Sequence, residues 1–414
     1  MALARNNFIV GMDVGTYQVR VIVGEPRPDG TISVVGLGLS PSEGMKKGVI
    51  VDLEKTVNSI VSAAEEAERM VGTKIDSAYV GFSGLNIELI NNRGVVAVSS
   101  EDREIRPEDV ERVLQAARVI ALPSDREIVD IIPREYIVDG YSDIRDPIGM
   151  LGVRLEVDAM IISSPITSLR NLVRCVNNAG LEVKGLILQA LAAAEASLSP
   201  DEKELGVFLV DMGGGTTEIS FFQKGKLQSL AVLPIGGDHI TNDLAVGLRT
   251  SFAAAENLKI EHGWAAAHKA GDAEEIEVYT VGGKEKRLVS EREISRFIEP
   301  RIQEILQITR EEMIKMGWPQ LPPAGVVLGG GVSATRGLLE LAGECLGREE
   351  QVRLAEINYA GIQNPGYAAA VGLINYIYRY QPKQYAPSSS RPAQRREQRS
   401  LWQRIKDWLD DFME

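Results

Sequence analysis

The chain has 414 residues, 44% hydrophobic and 25% charged, which suits a soluble folded protein of about two to four structural units. Its 45 Lys and Arg against 58 Asp and Glu give a net charge of −13, which argues against nonspecific nucleic-acid binding. Cys175 and Cys345 form no CxxC pair, and the three histidines (His239, His262, His268) have no metal-ligand spacing. No signal segment is expected at the start, and no apolar run is long enough to span a bilayer.

Taken in order, residues 8–16 (FIVGMDVGT) read as a strand ending at Asp13, with Gly15 and Thr16 in the turn and a second strand over 18–23. A strand is expected over 31–39, a helix over 53–71 with Gly72 as its C-cap, and a strand over 75–82. Residues 84–163 read as a compact α+β insert. It contains a strand at 94–99, a helix from Pro107 to about 120, strands over 126–138 and 153–162, and turn residues at 139–149. A helix over 168–179, a strand over 183–188 and a helix over 189–197 follow.

Residues 206–220 (GVFLVDMGGGTTEIS) repeat the opening plan: a strand to Asp211, then Gly213, Gly214 and Gly215, then Thr216 and Thr217, then a strand over 218–222. Glycine lets backbone N–H groups approach phosphate oxygens without a Cβ in the way. Threonine hydroxyls add donors, and a carboxylate can hold Mg²⁺ through its water shell. On this reading a side chain at Gly214 would stand where phosphate oxygens sit. A plain Gly-rich β-hairpin accounts for either stretch alone. Gly236, Gly237 and Asp238 open a helix with Thr241 in its first turn, either near phosphates or as a simple cap. A helix over 253–260 puts Glu256 and Lys259 on one face, where a surface ion pair is the plain alternative. Residues 263–269 (GWAAAHK) fit no pattern. A small hairpin over 277–289 and a helix over 291–315 come next. A strand then empties into Gly329, Gly330 and Gly331, with a helix expected from Ala334 and a last core helix over 365–378.

Two β-Asp-Gly-Thr-β hairpins about 200 residues apart, followed by a third Gly-rich turn, form an internal repeat. The trio resembles the actin and heat-shock-chaperone ATPase superfamily, in which two hairpins grip the phosphates of ATP from opposite lobes. The segments SGLNIELINNRGVVAVSSEDREI, REYIVDGYSDIRDPIGMLGVRLE and GGDHITNDLAVGLRTSFAAAENLKI narrow this to a close resemblance to the bacterial cell-division FtsA family, over about residues 8–380.

That resemblance implies an α/β, two-lobed actin-like ATPase fold. The first lobe would comprise residues 1–83, 164–204 and 363–380, with the insert at 84–163 making filament and partner contacts. The second lobe core would comprise 205–242 and 319–362, and a smaller subdomain would occupy 243–318. It further implies ATP and Mg²⁺ held by Asp13 and Asp211 through water, by Gly15, Thr16, Gly213, Gly214, Gly215, Thr216 and Thr217 at the phosphates, and by Glu256, Lys259, Gly329, Gly330 and Gly331 near adenosine. If hydrolysis occurs, Gln189 would orient the attacking water and Asp211 would hold the cation. Turnover would be slow at most, as befits a scaffold.

The resemblance also implies that the smaller subdomain binds the C-terminal tail of FtsZ. Arg301, in the stretch 297–301 (FIEPR), is the expected partner for a peptide carboxylate. Residues 381–399 read as a disordered linker with a net charge of +4. Residues 400–414 (SLWQRIKDWLDDFME) then form an amphipathic helix, with Leu401, Trp402, Ile405, Trp408, Leu409, Phe412 and Met413 within an arc of about 140°. It would lie on the inner face of the cytoplasmic membrane. The function expected is a peripheral, filament-forming anchor for FtsZ that recruits later division proteins at the division site. A pilus-assembly scaffold of similar fold and a small-molecule kinase of the same superfamily are the alternatives.

Overall fold

The computed structural model describes residues 8–380 except 274, 282–285, 358 and 360–361. Contacts divide the chain into two compact units, one holding most of residues 1–85 and 187–393 and the other residues 86–174 with 184–186.

The larger unit contains two five-stranded sheets built on one plan. In the first, the order is Glu182–Leu188, Ser77–Phe82, Ile9–Val14, Gln18–Pro26, Ile32–Pro41. Ile9–Val14 runs antiparallel to Gln18–Pro26 and parallel to Ser77–Phe82. In the second, the order is Lys226–Leu233, Thr217–Gln223, Val207–Met212, Val326–Gly329, Val352–Leu354. Val207–Met212 is likewise antiparallel to the next strand and parallel to a later one, Val326–Gly329. Apart from Asp13 and Asp211 near their ends, the two central strands are buried runs without charged side chains, as strands covered on both faces require.

Helix Leu53–Val71 packs on the first sheet. Its N-cap is Asp52, which accepts from Lys55 N–H, and Gly72 ends it at φ 68°, where a Cβ would be strained. Helices Gln189–Ser197 and Ala368–Tyr380 cross closely, because a Cβ on Gly372 would lie 1.7 Å from the Ala192 carbonyl oxygen. In the second lobe, Phe208, Ile219 and Phe221 of the sheet share a core with Ile240 and with Ile294, Ile298 and Ile302 of the long helix Glu291–Lys315. The larger unit also contains helices Gly237–Leu248 and Phe252–His262 and the hairpin Ile276–Tyr279 with Lys286–Val289.

The smaller unit is a four-stranded antiparallel sheet in the order Glu88–Ala97, Arg154–Pro165, Arg126–Val138, Tyr141–Ile144. Helix Pro107–Arg118 covers one face, packing Val113, Leu114 and Ala117 on Tyr136, Leu155, Val157 and Ala159.

Several elements differ from the sequence reading. The helix expected from Ala334 starts at Leu338, after a 3₁₀ turn over Gly331–Ala334. Gly337 at φ 76° marks the break between them. Residues 141–144 pair as a strand rather than forming part of a long turn, although the first three side chains are exposed and only Ile144 packs on the core. The strand placed at 94–99 runs from Glu88 to Ala97, and its first half was hidden from pattern reading because Asn91, Asn92 and Arg93 interrupt the apolar residues. The GWAAAHK stretch is a packed connector: Trp264 N–H donates to Ser295 Oγ at 3.0 Å, its indole donates to Glu291, and Ala265, Ala266 and Ala267 are buried. The linker and amphipathic segment over 381–414, with Leu401, Trp402, Ile405, Trp408, Leu409 and Phe412, lie outside the described residues. Among the described residues no helix is long and apolar enough to cross a membrane.

Candidate functional site: a cavity between two glycine turns

The two repeated hairpins carry the same local geometry. Gly15 N–H donates to the Gln18 carbonyl at 3.2 Å, and Gly213 N–H donates to the Thr216 carbonyl at 2.9 Å. Each turn therefore closes tightly after its acid. The register places Asp13 opposite Arg20 and Asp211 opposite Glu218.

Between them lies a cavity of about 430 Å³, within the range of small-molecule sites. Its lining includes Asp13, Gly15, Thr16, Gln189, Asp211, Gly213, Gly214, Gly215, Thr216, Glu256, Lys259, Gly330 and Gly331. The residues singled out from two hairpins, a helix start and a distant turn thus converge on one space. Gly330 holds its turn at φ 82°, and a Cβ there would lie 2.4 Å from the Met212 carbonyl and 2.5 Å from Asp211 Oδ1. Only glycine fits that approach. Gly331 faces open space.

Two expected residues are not brought to the cavity. Thr217 is fully buried and its hydroxyl donates to the Ile235 carbonyl at 2.8 Å, because alternation along Thr217–Gln223 turns it into the sheet core. Gly329 sits within its strand, paired with Asp211, one step before the turn. The start of helix Gly237–Leu248 is also committed. Gly237 N–H and Asp238 N–H donate to the Gly213 and Gly214 carbonyls at 2.9 and 2.8 Å, so the helix braces the glycine turn. A Cβ on Gly214 would point at Tyr17 across the cleft, 2.9 Å from its Cβ, rather than into phosphate space.

Charges in the cavity are mostly paired. Asp13, 4% exposed, accepts from Arg20 Nη1 at 3.1 Å and from Gln189 Nε2 at 2.6 Å. Arg20 also stacks over Tyr367, 5.2 Å from its ring centre. Lys259 Nζ donates to Glu256 Oε2 at 2.7 Å and to Thr241 Oγ1 at 2.8 Å, which makes this a half-buried pair in the cavity wall rather than a surface one. Ser83 donates to Glu218 across the cleft.

Burial pushes the Asp13 carboxyl above its usual range despite Arg20. Burial, reinforced by Asp13, lifts Asp211 to about 6. Burial, with Asp211 and Asp13 adding to it, lifts Glu218 to about 8 against the Ser83 bond. Arg20, Ser83 and Glu218 were not singled out from sequence. The signal was available for two of them, since Arg20 and Glu218 stand at matching offsets after Asp13 and Asp211 in the two hairpins.

The donor set bears on a cation. Asp13, Asp211, Glu218, Asp238 and Glu256 line the cavity, while Arg20 and Lys259 are already paired with acids. A polyanion entering such a space needs compensating positive charge. Among the described residues no group of three or more His, Cys, Asp or Glu is arranged to hold a metal. A cation at Asp13 and Asp211 would therefore keep most of its ligands as water and ligand oxygens, which is the habit of Mg²⁺. The residues fit.

On helix Glu291–Lys315, Arg301 is already engaged. Its Nε donates to Asp243 Oδ2 at 2.6 Å, and Nη1 pairs with Glu304. The Asp243 hydrogen bond holds the guanidinium pKa above its usual value.

Comparison with known proteins places the chain. The family model described as "Cell division protein FtsA" matches residues 208–372, and that described as "SHS2 domain inserted in FTSA" matches residues 84–163. Cell division protein FtsA of Bacillus subtilis is 47% identical over 90% of this chain and 84% of its own length. The Pseudomonas aeruginosa FtsA is 43% identical over 89% and 88%, and the Escherichia coli K12 FtsA 36% identical over 89% and 90%.

Among solved structures, the PilM-PilN type IV pilus biogenesis complex aligns with a TM-score of 0.63 at 18% identity, covering 92% of this chain and 99% of that one. MreB5 of Spiroplasma citri bound to ADP aligns at 0.53 and 14% identity, covering 91% and 97%. Likenesses this remote carry the actin-like fold alone and do not favour the pilus or kinase alternatives. Identity across nearly the whole length does more: the chain belongs to the FtsA family of cell division proteins and has its two-lobed actin-like ATPase fold with the inserted SHS2 domain.

Proposed function

We propose that this division protein binds ATP with Mg²⁺ in the cavity between its two glycine turns, anchors FtsZ filaments to the cytoplasmic membrane in that state and recruits later division proteins. The observation that carries the reading is the convergence of Asp13, Thr16, Asp211, Gly213–Thr216, Glu256, Lys259 and Gly330 on one cavity. The ADP-bound MreB5 structure of the same fold supports a nucleotide as the ligand.

In this reading Gly214, Gly215, Thr216 and Thr16 offer N–H and hydroxyl donors to the phosphates, while the Gly15 and Gly213 N–H groups close the turns. The cation, held through water by Asp13 and Asp211, supplies charge compensation there. Arg20 holds Asp13 oriented and favours its charged form against the effect of burial, and Gln189, bonded to Asp13, is placed to position a water if hydrolysis occurs. Glu256 and Lys259 meet the ribose and base.

The scaffold role joins three further parts. The subdomain at 243–318, with Arg301 on its long helix, takes the acidic C-terminal tail of FtsZ. The insert at 84–163 contacts neighbouring copies in a filament and later division proteins. Residues 400–414 place Trp402, Trp408 and their apolar neighbours in the inner face of the cytoplasmic membrane, and the basic linker at 381–399 is drawn to anionic lipid at about 1 kcal/mol per base.

Vesicle pelleting tests the whole. The chain is expected to sediment with anionic vesicles when ATP and Mg²⁺ are present and to stay in solution without them. Equal sedimentation in both conditions would break the link between the cavity and the membrane.

A further inference from the structure

Helix Gln189–Ser197 (QALAAAEAS) carries a single charged side chain, Glu195, and only 8% of it is exposed. A carboxylate is costly to bury unless cations meet it. Two do. Lys203 Nζ donates to Glu195 Oε1 at 2.7 Å, and Arg379 Nη1 pairs with Glu195 Oε2.

The two cations come from different sheets. Lys203 lies on helix Pro200–Leu205, which is fastened to the second sheet in two places. The Lys203 and Glu204 carbonyls accept from Gly225 and Lys224 N–H, at 3.0 and 3.1 Å, in the turn between Thr217–Gln223 and Lys226–Leu233. Arg353, on the edge strand Val352–Leu354, grips Glu202 with two hydrogen bonds of 2.7 Å and reaches the Ser197 carbonyl at 2.8 Å. Arg379 lies in the last turn of helix Ala368–Tyr380, which packs on the first sheet: a Cβ on Gly11 would lie 2.9 Å from Leu373 Cβ. Glu195 therefore ties an arm from each sheet to one carboxylate. Tyr380, next to Arg379, is where the chain runs on into residues 381–414.

The same helix reaches the cavity at its other end. Gln189 Nε2 donates to Asp13 Oδ1 at 2.6 Å, and Glu195 lies about 9 Å further along the helix. The two arms are unequal, because the Lys203 side chain is 9% exposed and that of Arg379 58%. Neutralising Arg379 cuts the arm to the last helix and leaves the buried Glu195–Lys203 pair whole. Neutralising Glu195 strands Lys203 as a buried charge.

We propose that Glu195 is a coupling junction, which passes the restraint of both sheets by a ligand in the cavity to Arg379 and so firms the last turn of helix Ala368–Tyr380, where the tail begins. This rests on the nucleotide reading of the cavity. A ligand held by both glycine turns restrains movement between their sheets, so a contact with an arm on each sheet opens less often.

The test is hydrogen exchange on the full chain with and without ATP and Mg²⁺, with occupancy brought to saturation for each variant by calorimetric titration. With ATP, exchange of the wild-type amides over residues 376–380 is expected to slow by about tenfold, a typical coupling between linked sites. Coupling is reciprocal, so Arg379→Gln weakens ATP binding by up to the same factor, and even when saturated it loses the slowing. Arg379→Lys, which keeps the charge, retains the slowing, and Glu195→Gln loses it. If ATP does not bind the wild-type chain, the nucleotide reading falls and the junction with it. If ATP binds but exchange over 376–380 is unchanged, or slows equally in Arg379→Gln, the junction is wrong and the nucleotide reading stands. The wild-type comparison and the two Arg379 variants decide the matter should Glu195→Gln fail to fold.

Discussion

Replacing Gly214 with valine tests the narrowest point of the cleft. A Cβ on Gly214 would sit 2.9 Å from Tyr17 Cβ, 3.3 Å from Asp238 Oδ1 and 3.4 Å from Tyr17 N. Tyr17 cannot yield freely, because its carbonyl accepts from Ser42 N–H at 3.0 Å and its turn is closed by the Gly15–Gln18 bond. Restoring ordinary contact for Cβ alone takes roughly 0.5–1 Å, and the two γ-methyls need more. The glycine turns must therefore separate by about 1 Å, while phosphate hydrogen bonds tolerate a spread of only about 0.5 Å. A misplacement of that size costs about 100-fold, which corresponds to about 2.7 kcal/mol of ATP affinity. Gly214 is not among the residues at positive φ, so valine meets no backbone strain, and the crowding should cost about 1–3 kcal/mol of stability. Calorimetric titration of ATP, with circular dichroism as the folding control, measures both. A folded Gly214→Val chain with unchanged ATP affinity would refute the reasoning.

Three other outcomes follow from the same geometry. Burial lifts the Glu218 and Asp211 carboxyls to about 8 and about 6 in the folded chain, above the usual carboxylate range. At these two positions the folded chain binds more protons than the unfolded chain, so their contribution to stability without ligand is full below about pH 4 and is lost as pH rises through about 6 and about 8. The melting temperature should drop from pH 6 to pH 8.5, and Glu218→Gln should flatten the decline; identical slopes would count against the buried acid pair. Arg301→Glu puts a third carboxylate beside Asp243 and Glu304, and it should weaken capture of an FtsZ tail peptide by about 2 kcal/mol, at the low end for a partly exposed charge pair. Fluorescence anisotropy with the labelled peptide checks it, and unchanged affinity would move the tail site to another face. Trp408→Glu should abolish flotation with liposomes and leave ATP binding intact; a variant that still floats would rule out 400–414 as the anchor.

What the sequence disclosed about the site depended on how local the signal was. The two strand-Asp-Gly-Thr turns were legible because a strand end, an acid and glycines fall within one short stretch each, and repetition did the rest. Thr217 was misjudged because the pleat decides which of two adjacent threonines faces the cavity, and pattern alone does not fix where the turn hands over to the strand. The Ser83–Glu218 bond was out of reach: its partners lie 135 residues apart and meet only through the fold. Arg20 and Glu218 were within reach, since hairpin register places them opposite the two acids. The late start of the helix at Leu338 and the strand at Tyr141–Ile144 were hidden for opposite reasons. In the first, Ala334, Thr335 and Arg336 all tolerate a helix, so the pattern does not reveal the 3₁₀ turn before Gly337; in the second, a short, mostly exposed segment pairs at a sheet edge.

The central claim is that a nucleotide lies between the two glycine turns, and a crystal structure of the chain with Mg²⁺ and a non-hydrolysable ATP analogue tests it most directly. The account predicts the triphosphate between Gly15–Thr16 and Gly213–Thr216, with the cation facing Asp13 and Asp211 and the adenosine against Glu256, Lys259 and the Gly330–Gly331 turn. An analogue bound elsewhere, or a cavity left empty at saturating concentration, would contradict it.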